Sequence, residues 1–444
     1  MKNILFIILV LMLCPVAQAD SAKQIKGLGL TEQEVIDSYI YIFPRYLVIR
    51  QEHIDIAEEG MDYNVIKYNE LGKAEFPNPN LDVAYLEAWF AVDENTPVIL
   101  EIPKIEGRYY TAQLCDEWAE VITNLNERNY PKTPYGKFAL VLKGTNPKIP
   151  EDAVRVEVPS KKVKLLGRVE RQGDDEGAVK LQHQFKIIKL GEPTIDPAVE
   201  IPTFTNEHPL TVGVFKKPMV EKVIASAPDS MVSIASDMQK KVMTIAEFIS
   251  KSDGNLETID EILKQKAFPA LLAYAKDYGD KRGGWSSTRE YIKFGDNMWF
   301  RSIANFGGIW WNSSKEVVYY MGEEDDEGVE LNGDNVYMIH FKPEDNLEKH
   351  VDAYWSLTLL DVPNYRVIPN KLNRFNVNNI SKFTYESDGS LKLYLASELP
   401  KGTPESNWLP APKGQPFTLN LRAYVAKTEV LSGEYYVPPI KKMN

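Results

Sequence analysis

Short apolar or alternating runs closed by Pro, Gly or Asn occur in two separate blocks of this chain, with a stretch of helical spacing between them. The first block holds runs at 98–102, 108–114, 138–142, 163–169 and 182–190, the second at 336–341, 354–360, 391–395 and 418–425. Runs of this length with turn residues between them predict the strands of β-sandwiches or jelly rolls. In the middle, Val220, Val223, Ile224, Met231, Ile234, Met238, Val242 and Ile245 recur at roughly helical intervals. They predict a helical insert over 215–280, interrupted at Pro228 and ended by Gly283-Gly284. Ahead of everything, Thr31-Glu32-Gln33-Glu34 fits a capping box, and Val35, Ile36, Tyr39, Ile40 and Phe43 carry a helix from it to about Pro44. The fold class is mainly β with a helical insert. A leader over 1–19 and an N-terminal segment over 20–34 precede a β-sandwich domain with its leading helix over 35–200, a helical domain over 201–290 and a C-terminal β-domain over 291–444.

The leader is read from Lys2, the apolar run 4–13 and the small-residue pattern Ala17-Gln18-Ala19, which predict cleavage before Asp20 and export to the periplasm or beyond. That run is shorter than the roughly 20 residues of a bilayer span, so no integral span is expected after cleavage. Cys14 lacks a small residue before it, which favours simple cleavage over lipidation. Cys115 is then the sole cysteine, no internal disulfide can form, and the core must hold the fold. A chain of 444 residues, 44% hydrophobic, is large enough for that. Its net charge of −12 argues against nucleic acid or an anionic membrane surface as partner.

Familiar catalytic signatures are absent: there is no G-x-S-x-G, no phosphate-binding G-x-x-x-x-G-K-[ST], no H-E-x-x-H and no dinucleotide-binding G-x-G-x-x-G. His53, His183, His208, His340 and His350 are scattered, and the acidic run 323–327 lacks the alternating pattern of a calcium loop, so neither a metal nor a cofactor is expected. Cys115 has no local base and reads as a small buried hydrophobe.

What remains is a polar and aromatic cluster in the first block: Asn78-Pro79-Asn80-Leu81-Asp82, Tyr85, Gly107-Arg108-Tyr109-Tyr110, Gln113, Asp116 and Trp118. Asp82 and Asp116 are the candidate acid and base, with Arg108 stabilising charge. Asn80, Tyr85, Tyr109, Tyr110, Gln113 and Trp118 are candidate ligand contacts. All of these also suit turns, ion pairs and sandwich faces. Alternation puts Arg108, Tyr110 and Ala112 on one face and Tyr109, Thr111 and Gln113 on the other, and only one face can line a pocket. A second aromatic set, Trp285, Trp299, Trp310-Trp311, Tyr319-Tyr320, Trp355 and Trp408, serves ring stacking, an oligomer interface or plain core. Asn312-Ser313-Ser314 and Asn379-Ile380-Ser381 match glycan-acceptor patterns.

Several blocks together carry a family likeness. They are Asn80-x-Asp82-x-x-Tyr85 with Ala88-Trp89, then Gly107-Arg108-Tyr109-Tyr110 with Gln113-Leu114 and Asp116, then Gly167-Arg168. Later come Tyr337-x-x-His340-Phe341, Tyr354-Trp355-Ser356-Leu357-Thr358, Asp388-Gly389-Ser390-Leu391, Asn407-Trp408-Leu409-Pro410-Ala411-Pro412 and Leu421-Arg422-x-Tyr424. The first lobe resembles the bacterial domain of unknown function DUF1254, and the last resembles its companion DUF1214. Val83 stands where that pattern carries a threonine, and no proline occurs near Ala426. The resemblance implies an immunoglobulin-like sandwich, a small all-α domain and a C-terminal jelly-roll sandwich; Trp355 and Arg422 complete the candidate ligand set. It implies no activity.

Three functional readings follow. The leading one is an exported protein that binds a small molecule or glycan fragment at a domain junction. The others are a metal-independent hydrolase or lyase using the paired carboxylates, and a structural homo-oligomeric envelope protein.

Overall fold

The computed structural model describes residues 25, 27–72, 78–289, 293–362 and 364–443; the leader, Cys14 and the cleavage pattern lie outside the described residues. Thr31 closes the capping box: its hydroxyl accepts from the Glu34 amide at 3.2 Å, and the Glu34 carboxylate accepts from the Thr31 amide at 2.8 Å. The helix it starts, Glu32–Ile56, runs through Pro44 instead of stopping there. A proline inside a helix costs about 3 kcal/mol through a lost hydrogen bond and a strained turn. Burial on every side offsets it, since Tyr39 to Phe43 and Tyr46 to Ile49 are all fully buried.

That helix packs against Val232–Ile249 and Met298–Gly308. The helices Met219–Ala225, Val232–Ile249, Asp253–Ile262 and Phe268–Asp277 occupy the stretch of helical spacing, and Pro228 lies in the gap between the first two. The helical layer is not one continuous segment, however. Gly283-Gly284 is the turn of a hairpin that joins the last sandwich, after which Met298–Gly308 returns to the helices.

Each lobe is a pair of sheets closed on an apolar core. The first lobe has a five-stranded sheet in the order β1 (Lys67–Tyr68), β2 (Val83–Ala91), β8 (Lys162–Glu170), β4 (Tyr110–Cys115), β5 (Val121–Leu125). Its second sheet runs β7 (Ala153–Val158), β6 (Gly136–Leu142), β3 (Val98–Ile102), β9 (Lys186–Lys189). Leu86, Phe90, Leu100, Phe138, Leu140 and Leu165 fill the space between them. The last lobe has a six-stranded sheet in the order β10 (Asp280–Arg282), β11 (Trp285–Ser287), β12 (Val317–Gly322), β18 (Phe417–Tyr424), β14 (Trp355–Asp361), β15 (Asn376–Asn378). It covers a four-stranded sheet, β17 (Trp408–Pro410), β16 (Leu391–Ala396), β13 (Tyr337–Phe341), β19 (Ile440–Lys442). The molecule is thus mainly β, two sandwiches with a helical layer.

Gly167 shows how tightly the first lobe is closed. It pairs with Leu86 across the sheet, and a Cβ at this position would lie 2.6 Å from Leu86 Cγ. Gly167→Ala should cost about 1–3 kcal/mol by overpacking, seen as an earlier urea midpoint. An unchanged midpoint would mean that Leu86 turns away freely.

Candidate functional site

Alternation sends every second side chain of a strand away from its own core, and here the outer face of each lobe is covered by the other lobe. In β8, Leu165 and Val169 enter the first core while Leu166 faces out; in β4, Tyr110, Ala112 and Leu114 enter and Cys115 faces out. In the last lobe, Leu419, Leu421 and Ala423 of β18 fill the core and Tyr424 faces out. The outward residues Tyr85, Tyr109, Leu166, Tyr354 and Tyr424 pack together along the seam. With the first helix covering the end that holds Trp89, Lys162 and Lys164 through Asp55 and Glu52, β2, β8 and β18 are buried along their full length.

Two arginines reach this seam from opposite lobes. Arg168, 5% exposed, donates from Nη1 to Gln113 Oε1 at 2.7 Å, and its guanidinium lies 5.5 Å from the centre of the Tyr85 ring. Gln113 is itself held by donating from Nε2 to the carbonyls of Trp310 and Trp311, both at 3.1 Å. Trp310 presents these carbonyls from a left-handed backbone, φ 69°, a conformation seldom adopted by a bulky residue and one that concentrates at functional sites. Arg422, 2% exposed, donates from Nη2 to Asn78 O and Oδ1, both at 2.7 Å, and from Nη1 to Thr358 Oγ1 at 3.2 Å. All of these partners are neutral. Among the described residues neither guanidinium forms an ion pair, so two desolvated positive charges face the seam without a counter-charge. The surrounding phenols do not supply one. Burial raises the hydroxyls of Tyr109, Tyr319, Tyr354 and Tyr424 above their ordinary value, and these rings stay neutral.

A recess of about 40 Å³ lies between the arginines, bounded also by Tyr85, Leu166, Tyr319 and Tyr424. It is large enough for ordered water or for the two oxygens of a carboxylate head. Asn78, Trp311 and Tyr319 line both this recess and a cleft of about 560 Å³ between the helical layer and the last sandwich, so the two spaces adjoin. A cleft of about 760 Å³ elsewhere is bordered by Lys162 and Glu117, but these buried charges are already paired, with Glu52 at 2.8 Å and Arg45 at 3.1 Å.

The structure distributes the sequence-predicted ligand residues over three environments. Tyr85, Gln113 and Arg422 border or brace the recess. Asn80 and Tyr109 tie the lobes together: Asn80 Nδ2 donates to the Tyr354 and Tyr424 hydroxyls, both at 2.7 Å, and the Tyr109 hydroxyl donates to Glu316 at 3.0 Å. Tyr110, Trp118 and Trp355 lie in packed interiors, against Phe138 and its neighbours, the Arg301 guanidinium and Phe383 respectively. Arg168 is the functional candidate that residue patterns missed. On β8 it shares a face with Lys164, Leu166 and Glu170, which reads as solvent-facing. The signal that could have found it is its place in the Gly167-Arg168 block.

The two carboxylates predicted as catalytic are kept apart. Asp82 immediately precedes Val83, which pairs with Glu170, whereas Asp116 follows Cys115, which pairs with Lys164. That separation along β8 is about 20 Å at ~3.3 Å per residue, far beyond the distance at which two carboxyl groups flank one bond. Asp82 Oδ1 accepts from the Asn376 and Asn378 amides at 2.8 and 2.6 Å, and Asp116 Oδ1 caps its own turn by accepting from the Trp118 and Glu120 amides, both at 2.9 Å. Arg108 pairs with Asp174 at 2.7 Å.

Of the second aromatic set, Trp285, Trp310, Tyr320 and Trp355 are buried, while Trp311 and Tyr319 line the cleft. Asn312 is 1% exposed and cannot carry a glycan in the folded chain. No group of three or more His, Cys, Asp or Glu suited to a metal occurs among the described residues, and no described helix is long and apolar enough to cross a membrane.

This arrangement defines a class: two mostly antiparallel sandwiches clasped face to face around a positively charged recess, with a helical layer beside it. The family model "Protein of unknown function (DUF1254)" matches residues 63–189, and "Protein of unknown function (DUF1214)" matches 316–428. The chain belongs to the family that pairs these two domains in this order. Among solved structures it is similar to the VPA0106 protein from Vibrio parahaemolyticus, at 22% identity over 93% of this chain and 100% of that one with a TM-score of 0.63, which shows a shared fold. An uncharacterised protein from Burkholderia cenocepacia aligns over 96% of each chain at 11% identity and a TM-score of 0.45. Comparison with curated proteins finds no match.

Proposed function

We propose that this protein binds a small organic anion, its carboxylate or equivalent head in the recess between Arg168 and Arg422 and its body in the adjoining cleft against Trp311 and Tyr319. The observation that carries this reading is the pair of buried guanidinium groups, one from each lobe, facing one space with only neutral partners among the described residues. Taking an ion out of water costs several kcal/mol unless something pairs with it, and a guanidinium fork suits a planar two-oxygen anion. A neutral sugar would leave both charges unmatched, so a glycan fragment fits only if it is acidic. Together with the leader read from the sequence, the reading describes an exported binding protein. The register along β8 gives no support to the carboxylate-pair enzyme.

Calorimetric titration with benzoate, phenylacetate and glucuronate, each beside its neutral amide, tests the proposal. The acids should bind and the amides should not, and Arg168→Gln should weaken the acids by at least about tenfold, the loss expected when a charge-assisted contact is removed. The same substitution should leave the ligand-free protein at least as stable, because it removes an unpaired buried charge. Equal binding of acid and amide, or indifference to Arg168→Gln, would refute the reading.

A further inference from the structure

The cleft above the recess ends in charge of the opposite sign. β12 runs along it: Tyr319 borders the recess, Met321 lines the cleft, and Glu323, next on the same side by alternation, lines its far end. From Tyr319 to Glu323 the strand and its continuation span about 13 Å at ~3.3 Å per residue. Glu324 and Glu330 stand at the same end. Lys276 is already held by Glu324 at 3.3 Å, whereas Glu323 and Glu330 form no ion pair among the described residues. Burial and then Glu324 push the Glu323 carboxyl up, Lys276 and Lys281 oppose this, and Glu330 adds to it. Between the poles Leu272, Phe300, Trp311 and Met321 give apolar and aromatic wall, interspersed with the hydroxyls of Ser286, Thr288 and Thr418.

We infer that the ligand is dipolar: an anionic head for Arg168 and Arg422, an apolar middle of several carbons, and an ammonium or guanidinium group that reaches Glu323 and Glu330. This rests on the anion reading above and narrows it. A half-buried carboxylate with like charges beside it and two buried guanidiniums with only neutral partners among the described residues are each unfavourable alone. One molecule with a charge at each end relieves both. A dicarboxylate of the same length would meet repulsion at the acidic end.

The test compares 8-aminooctanoate with octanoate by calorimetry on the full chain and on Glu323→Gln, Glu323→Gln/Glu330→Gln and Arg168→Gln variants. The amino acid should bind at least tenfold more tightly than octanoate. The double glutamine variant should close that gap without weakening octanoate, and Arg168→Gln should weaken both. If octanoate binds equally well or better and still depends on Arg168, the dipolar inference falls and the anion reading stands. If neither molecule binds, nor any simple carboxylate, both fall together.

Discussion

Asp229→Ala should destabilise the protein by about 3–5 kcal/mol, the usual consequence of leaving one member of a buried ion pair without its partner. Asp229 and Arg301 are both fully buried and meet at 2.7 Å. The aspartate comes from the turn between the helices Met219–Ala225 and Val232–Ile249, where it also accepts from the Met231 amide at 2.9 Å. The arginine comes from the helix Met298–Gly308, donates to the Tyr41 carbonyl at 3.3 Å and stacks 4.4 Å from the centre of the Trp118 ring. One pair therefore joins the first helix, the later helices and the first sandwich. Removing the carboxylate strands a guanidinium that has nowhere to rehydrate. Urea unfolding followed by tryptophan fluorescence would read the loss. Replacing both residues by apolar ones, Asp229→Leu with Arg301→Met, should recover much of it, because the stranded charge is gone. If Asp229→Ala unfolds at the wild-type urea concentration, water reaches Arg301 and the pair is not the joint described.

The second large effect is on pH dependence, and its sign is opposite to that of ordinary salt-bridged carboxylates. Burial, and then the neighbouring Glu120, push the Asp116 carboxyl from its ordinary 3.8 up to about 7, against the Trp118 and Glu120 amides that favour the charged form. Asp229 adds a further negative neighbour. Glu120 is also raised by burial, with Lys293 and Arg301 opposing. The folded state thus keeps a proton that the unfolded chain releases. Stability contributed by this group is complete below the unfolded value and is lost as pH rises through the folded one. Between about pH 4 and about pH 7 the slope is as steep as ~1.4 kcal/mol per pH unit. Asp116→Asn keeps an oxygen for both amides and carries no charge, so it should flatten this slope and be relatively more stable at neutral pH. Urea midpoints measured across that range would show it. A wild-type profile that climbs with pH throughout the window would contradict the assignment.

Residues whose environment is determined by their neighbours in sequence are legible from the chain alone. Thr31 and Glu34 lie three apart and must meet if a helix begins there. Val163, Leu165 and Val169 lie at even spacing and must share a face if they are in a strand. Pro228 must interrupt a helix unless its surroundings compensate. Pro44 shows that compensation, because a helix buried on all sides tolerates what an exposed one does not. Asp82 and Asp116 show the other limit. Their side chains invite pairing as acid and base, but the register of β2 and β4 on β8 places them at opposite ends of the sheet.

The site itself divides along the same line. The sequence alone determined two strand-rich lobes, a helical stretch between them and which side chains of a strand share a face, since period-two alternation records which side chains lie together. It does not record what covers the other face. Gln113, Asn420 and Arg422 stand at outward positions, as does Arg168, and alternation alone does not say whether water, a ligand or another part of the chain meets them. Only the docking of one sandwich on the other buried them, and only that docking set Arg168 and Arg422, more than two hundred residues apart, on either side of one recess. A buried charge differs from a solvated one through its surroundings, and those surroundings are supplied by distant parts of the chain.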